Sequence, residues 1–161
     1  MNANEYQELM AVLREIRDRL PRPSDFDDYH TAQRIYLATN DAAGDCGWYR
    51  WNHEQNKAVG IERNMLTGTV VSVGLERKEY RGETNSKLMV RLIGASGQEY
   101  RLEAGLKAIA ARSLLLGLAM ATLSQPLSLV VQAGRDDQGN LNNVVWVRVL
   151  QGGIQLKRED L

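Results

Sequence analysis

A single cysteine, three prolines, one phenylalanine and no net charge set the first limits on this chain of 161 residues. Cys46 has no second cysteine to pair with, so stability must come from burial, and a reducing, cytoplasmic setting is expected. The opening Met-Asn-Ala-Asn-Glu-Tyr has neither the basic nor the apolar region of a secretory signal. The longest apolar stretch, Ser113 to Leu123, is too short to span a bilayer, so no membrane partner is expected. With 20 basic and 20 acidic side chains, the balance argues against a strongly basic nucleic-acid coat and against an acidic tail protein. At 43% hydrophobic and 25% charged, the composition is that of a folded globular chain. Neutrality is nevertheless an average. Up to Glu62 there are 7 basic and 11 acidic residues, and beyond it 13 basic and 9 acidic.

Catalytic and metal signatures are also missing. His30, Cys46 and His53 are the only soft ligands, widely spaced, with no CxxC or HxxxH pair. Asp25, Asp27 and Asp28 lack the glycine and terminal glutamate of a calcium loop and read as charges favoured near a helix N-terminus. Cys46 and His53 have no third residue to orient them as nucleophile and base. No phosphate loop, nucleophile elbow or dinucleotide fingerprint is present. The chain is therefore expected to be no enzyme, with no metal and no cofactor.

What is present divides into three regions: a helical, aromatic-rich extension over 1–62, a β-rich domain over 63–152 and a tail over 153–161. Residues 4–20 read as a helix, with Asn4 and Gln7 at capping-box spacing and Pro21 and Pro23 as its stop. Tyr6, Leu9, Leu13, Ile16 and Leu20 form a narrow apolar stripe. That stripe docks on its own domain or, alternatively, pairs with another subunit or a protein partner through Leu9, Leu13 and Ile16. Ser24 to Asp28 read as the cap of a short helix through His30 and Arg34. Arg34–Thr39 and Gly47–Trp51 read as strands around a turn at 40–45. Six of the ten aromatic residues fall between Phe26 and Trp51. One face of Trp48-Tyr49-Arg50-Trp51 is expected to be core. The other could stack on a base or anchor a partner, with Trp48 and Trp51 as the candidates.

From Thr67 the pattern is alternating: strands over 67–80, 87–93 and 98–103, an Ala/Leu-rich helix over 106–123, then strands over 127–133 and 143–150. Gly68 and Gly74 mark places for a bulge or bend in the long first strand. The terminal Lys157–Asp160 is expected to fray. This order over about 65–151, with its long glycine-interrupted first strand, resembles the oligonucleotide/oligosaccharide-binding (OB) fold. The resemblance implies a mainly β, α+β protein: a five-stranded Greek-key barrel with a helix between strands three and four, plus an N-terminal helical extension. Another small barrel or an α+β sandwich is the alternative.

The resemblance places binding on the outer face of strands two and three and the flanking loops. Alternation puts Leu88, Val90 and Leu92 inside and Lys87, Met89, Arg91 and Ile93 outside, with Arg101 between Glu99 and Glu103 on the next strand. On the last strand Val145, Val147 and Val149 point in, and Val144, Trp146 and Arg148 point out. Trp146, with Arg148, Arg91, Lys87 and Arg101, is the predicted stacking and phosphate-pairing set, with Arg77, Lys78 and Arg81 adding charge at one edge. The expected function is non-enzymatic binding of single-stranded DNA or RNA. The alternatives are a structural or accessory subunit of a larger, possibly nucleoprotein, complex, and a saccharide- or small-molecule-binding barrel.

Overall fold

The computed structural model describes residues 2–21 and 32–158. Helix α1 spans Ala3–Arg19. Its cap is Asn2, whose side chain accepts from the Glu5 backbone N–H at 2.9 Å, two residues earlier than the Asn4/Gln7 spacing suggests. Leu9, Leu13 and Ile16 are buried together with Val12, covered by this chain's own sheet and by helix α2, Ile109–Ala119. The middle of the stripe is thus core, with Leu9, Leu13 and Ile16 presenting no surface to a second subunit, whereas Tyr6 at its start stays exposed. Two arginines of α1 are tied to backbone carbonyls rather than left in solvent. Arg17 Nε donates to Val73 O at 3.1 Å, and the Arg19 guanidinium donates to Ala119 O and Ala121 O. A cation at the end of α2 satisfies terminal carbonyls and opposes the negative end of the helix dipole.

Nine strands follow the order β1 (Gln33–Tyr36), β2 (Tyr49–Asn52), β3 (Lys57–Gly60), β4 (Met65–Tyr80), β5 (Glu83–Gly94), β6 (Glu99–Gly105), β7 (Leu127–Arg135), β8 (Leu141–Gln151) and β9 (Ile154–Leu156). A 3₁₀ turn at Asp41–Ala43 lies between β1 and β2, and α2 lies between β6 and β7. All nine join one mixed sheet in the order β3-β2-β1-β6-β5-β4-β7-β8-β9. The expected five-stranded barrel, with its helix between strands three and four, is therefore corrected to an open nine-stranded sheet. The physical reason lies at the edges. β1 pairs parallel with β6 and β9 pairs with β8, so both strands that would have to meet for closure are occupied from outside.

Several local expectations also change. The short helix expected from Ser24 lies over residues 24–31 outside the described ones, and Arg34 belongs to β1 instead. Arg81 and Gly82 both have positive φ and close the β4–β5 hairpin as a two-residue turn, so residues 83–86 are strand. The bulge of β4 falls at Val71, between Gly68 and Gly74. Of the tail expected to fray, Arg158 is bound to Glu15 of α1 at 2.7 Å. The sheet and its hydrophobic core run without a break across residue 62, joining Ile35, Leu37 and Trp48 to Leu88, Leu102, Leu129 and Val149. Both helices lie against this core, and no helix among the described residues is long and apolar enough to cross a membrane.

Close packing of α2 on β8 depends on Gly117. A Cβ built there would meet Val149 Cβ at 2.7 Å, and Val149 is itself fully buried. Gly117→Ala is expected to lose about 1–3 kcal/mol through overpacking, read as a lower urea midpoint. An unchanged midpoint would show that helix and strand can separate freely.

Candidate functional site

The sheet face opposite the helices is built on β1, β6, β5 and the second half of β4. Alternation sends Leu88, Val90, Leu92 and Leu102 into the core and leaves Lys87, Arg91, Glu99, Arg101 and Glu103 on the outer face. Strand register then arranges them in rows. Arg34 of β1 pairs with Arg101 of β6, which pairs with Arg91 of β5, so three arginines share one row of the sheet. The adjacent row is Tyr49, Tyr36, Glu103, Met89 and Gly74. In the next, Lys87 pairs with Glu76.

Like charges directly opposite one another destabilise a sheet, and here each arginine has its own carboxylate. Arg34 grips Glu103 through Nε and Nη2 at 2.8–3.1 Å, Arg101 reaches Glu76 at 3.0 Å, and Arg91 is hydrogen-bonded to Glu99. Lys78 stands 3.7 Å from Glu103 and 3.9 Å from Glu76. Glu103 is buried, which pushes its carboxyl up. The Arg34 hydrogen bonds and the charges of Arg34, Lys78 and Lys87 outweigh burial and hold it below the usual carboxylate range. The same hydrogen bond raises the Arg34 guanidinium above its ordinary value.

Beside the arginines is an aromatic group. Tyr36 and Tyr49 are stacked, with centroids 5.1 Å apart and planes 20° from parallel. Arg34 lies 5.6 Å and Lys87 5.9 Å from the Tyr36 ring centre, within cation–π range. Burial raises the Tyr49 phenol above its ordinary value, with an Asn40 hydrogen bond pulling the other way. Trp51, 37% exposed, shares a hollow of about 260 Å³ with Arg34, Tyr36, Arg50 and His53. A second hollow of about 550 Å³ holds Arg91, Arg101, Glu76 and Glu99, and Ala32 borders both.

The candidate residues therefore fall into separate places. Lys87, Arg91, Arg101 and Lys78 share this face, with Arg77 exposed farther along β4 and Arg81 at the hairpin tip. Trp146 and Arg148 point outward as alternation requires, but they stand on β8. Three strand intervals separate β8 from β5, about 14 Å of sheet, so they do not complete the same platform. Trp48 is 2% exposed, and its indole N–H donates to Arg63 O at 2.8 Å, which removes it as a partner anchor. Arg34 and Tyr36 join the site although the sequence did not single them out, and Tyr49 joins it from the 48–51 run that was read as having one face able to stack on a base. The aromatic clustering was the available signal, and the missing knowledge was that β1 lies beside β6. Among the described residues no three His, Cys, Asp or Glu side chains gather as a metal site.

Comparison with protein-family profiles, with curated proteins and with solved structures finds no match to this chain.

The Arg34–Glu103 pair has a pH signature. Because the folded carboxyl titrates below its unfolded value of about 4.3, its stabilisation is present above that pH and is lost as pH falls through the lower folded value. Arg34→Gln is expected to cost about 1–2 kcal/mol at pH 7, discounted for the half-exposed guanidinium, and much less at pH 3. Urea midpoints of both proteins at the two pH values check this; a gap equally wide at pH 3 would refute it.

Proposed function

We propose that the chain binds single-stranded nucleic acid, without catalysis, across the outer face of β1, β6 and β5. The observation that carries this reading is the Tyr36–Tyr49 stack, flanked by Arg34 and Lys87 and continuous with Arg101 and Arg91. Single strands need aromatic faces that accept any base, worth about 1–3 kcal/mol per base, next to cations that follow the phosphates. Trp51 extends the aromatic surface at one side, and Lys78 extends the cationic one at the other.

The glutamates set the strength. Glu103 is buried and remains with Arg34, whereas Glu76 is half-exposed and its two ion pairs are weak enough for phosphate to displace. Binding is accordingly modest and strongly salt-dependent. The accessory-subunit alternative loses most of the residues that suggested it, since Leu9, Leu13, Ile16 and Trp48 are internal.

Tryptophan fluorescence of the full chain, titrated with oligothymidylate at about 50 and 200 mM salt, tests the reading. Quenching that weakens steeply with salt is expected. Tyr36→Ala should weaken binding about tenfold, and Arg101→Gln several-fold. Glu76→Gln should tighten it by freeing Arg101, while Trp146→Phe leaves the affinity unchanged. Absence of binding at low salt, or loss of binding in Trp146→Phe with retention in Tyr36→Ala, would overturn it.

A further inference from the structure

A notch opens at the far edge of the sheet, where β9 pairs with β8 only from Val149 to Gln151. Beyond that pairing, Leu116 of α2, Trp146 and Arg148 of β8, and Gln155, Lys157 and Arg158 enclose a cavity of about 420 Å³. That volume lies within the range of small-ligand sites, about 300–1,000 Å³. Its floor is held in shape by Ser113, whose hydroxyl accepts from the Val147 backbone N–H at 3.0 Å.

The lining has a definite chemistry. Trp146 is 49% exposed and gives a flat apolar face that the rest of the fold does not cover. Three cations border the cavity, and no carboxylate lines it among the described residues. Arg148 donates to the neutral amide oxygen of Gln132 at 2.6 Å, so that contact leaves its charge uncompensated. Arg158 is held by Glu15 at the rim. Glu159 and Asp160 follow in sequence and lie outside the described residues. Gln132 and Gln155 supply amides that can both donate and accept, as the edge of a base requires.

We infer that this cavity binds a nucleoside phosphate, with the base stacked on Trp146 and the phosphate held by Arg148 and Lys157. Neither half of the recognition suffices alone. A lone tryptophan would take any apolar ring, and lone surface cations would take any anion, but their adjacency selects a ligand that is planar at one end and dianionic at the other. The site is separate from the β1–β6–β5 face and does not depend on strand binding there.

The indole N–H resonances of Trp48, Trp51 and Trp146, assigned with Trp51→Phe and Trp146→Phe, give the readout. Adenosine 5′-monophosphate is expected to move the Trp146 signal, with adenosine or inorganic phosphate alone binding at least about tenfold more weakly. Arg148→Gln and Lys157→Gln should each weaken the nucleotide several-fold, whereas Lys57→Gln, at the opposite edge of the sheet, should not; preserved dispersion of the remaining resonances shows that the variants fold. No response of Trp146 at millimolar nucleotide, an equal response to adenosine, or a response confined to Trp51 would overturn the inference. Tetranucleotides with and without a 5′-phosphate distinguish a free nucleotide from a phosphorylated strand end. Strand binding on the other face is read with Trp146→Phe, so either proposal can fail without the other.

Discussion

The backbone hydrogen bonds of β4 join the two halves of the sheet. Its residues from Gly68 to Tyr80 pair with β5, while only Met65 to Gly68 pair with β7. Gly68 is therefore the residue at which both neighbours meet, opposite Gly94 on one side and Leu127 on the other. A Cβ at Gly68 would lie 2.7 Å from the carbonyl oxygen of Ile93, so the close approach of strands at this joint needs glycine. The bulge at Val71 comes just after the joint, and Arg17 of α1 is bonded to the carbonyl of Val73 just beyond it. Bulges let a strand bend while its ladder continues on either side. Everything toward β3 carries the aromatic and arginine face, and everything toward β9 carries the Trp146 notch.

The outer face illustrates how a row of like charges can exist on a stable sheet. Arg34, Arg101 and Arg91 are lateral neighbours, and each is neutralised by a glutamate of the same face: Arg34 and Arg91 by Glu103 and Glu99 of β6, and Arg101 by Glu76 of β4, two strands away. These carboxylates differ in what they can release. Glu99 and Glu103 are buried, so moving their arginines to another anion would leave a desolvated charge behind, whereas Glu76 is open to solvent. The overall charge balance of zero thus conceals a surface whose cations differ in availability by their partners' burial.

Much of the β-rich region was legible because alternation reports burial directly. Leu88/Val90/Leu92 and Val145/Val147/Val149 are inside, and Lys87, Arg91, Trp146 and Arg148 are outside, as period two requires. The strands of the 65–151 stretch and α2 also fall where composition placed them, within a few residues at their ends. What failed was assembly. Strands β3 and β9 are only four and three residues long, too short to show a period, and they extend the sheet at its two ends. Arg34 and Tyr36 were invisible as parts of a site for a related reason. Their meeting with Lys87 and Arg101 depends on a long-range parallel pairing that no local pattern encodes. Periodicity in α1 separates apolar from charged positions and says nothing of the carbonyls that the long side chains of Arg17 and Arg19 reach.

The parallel pairing of β1 with β6 joins residues 33–36 to residues 100–103. During synthesis, the aromatic segment leaves the ribosome well before the strand that completes it. Until Glu103 emerges, Arg34 lacks its buried carboxylate, and until α2 emerges, Leu9, Leu13 and Ile16 lack part of their cover. Non-local contacts of this kind slow folding, because loop-closure entropy is lost before the contacts compensate for it. Helix α1 and strand β1 thus wait long between their synthesis and their native contacts, and their exposed apolar and aromatic side chains make that interval a period of aggregation risk.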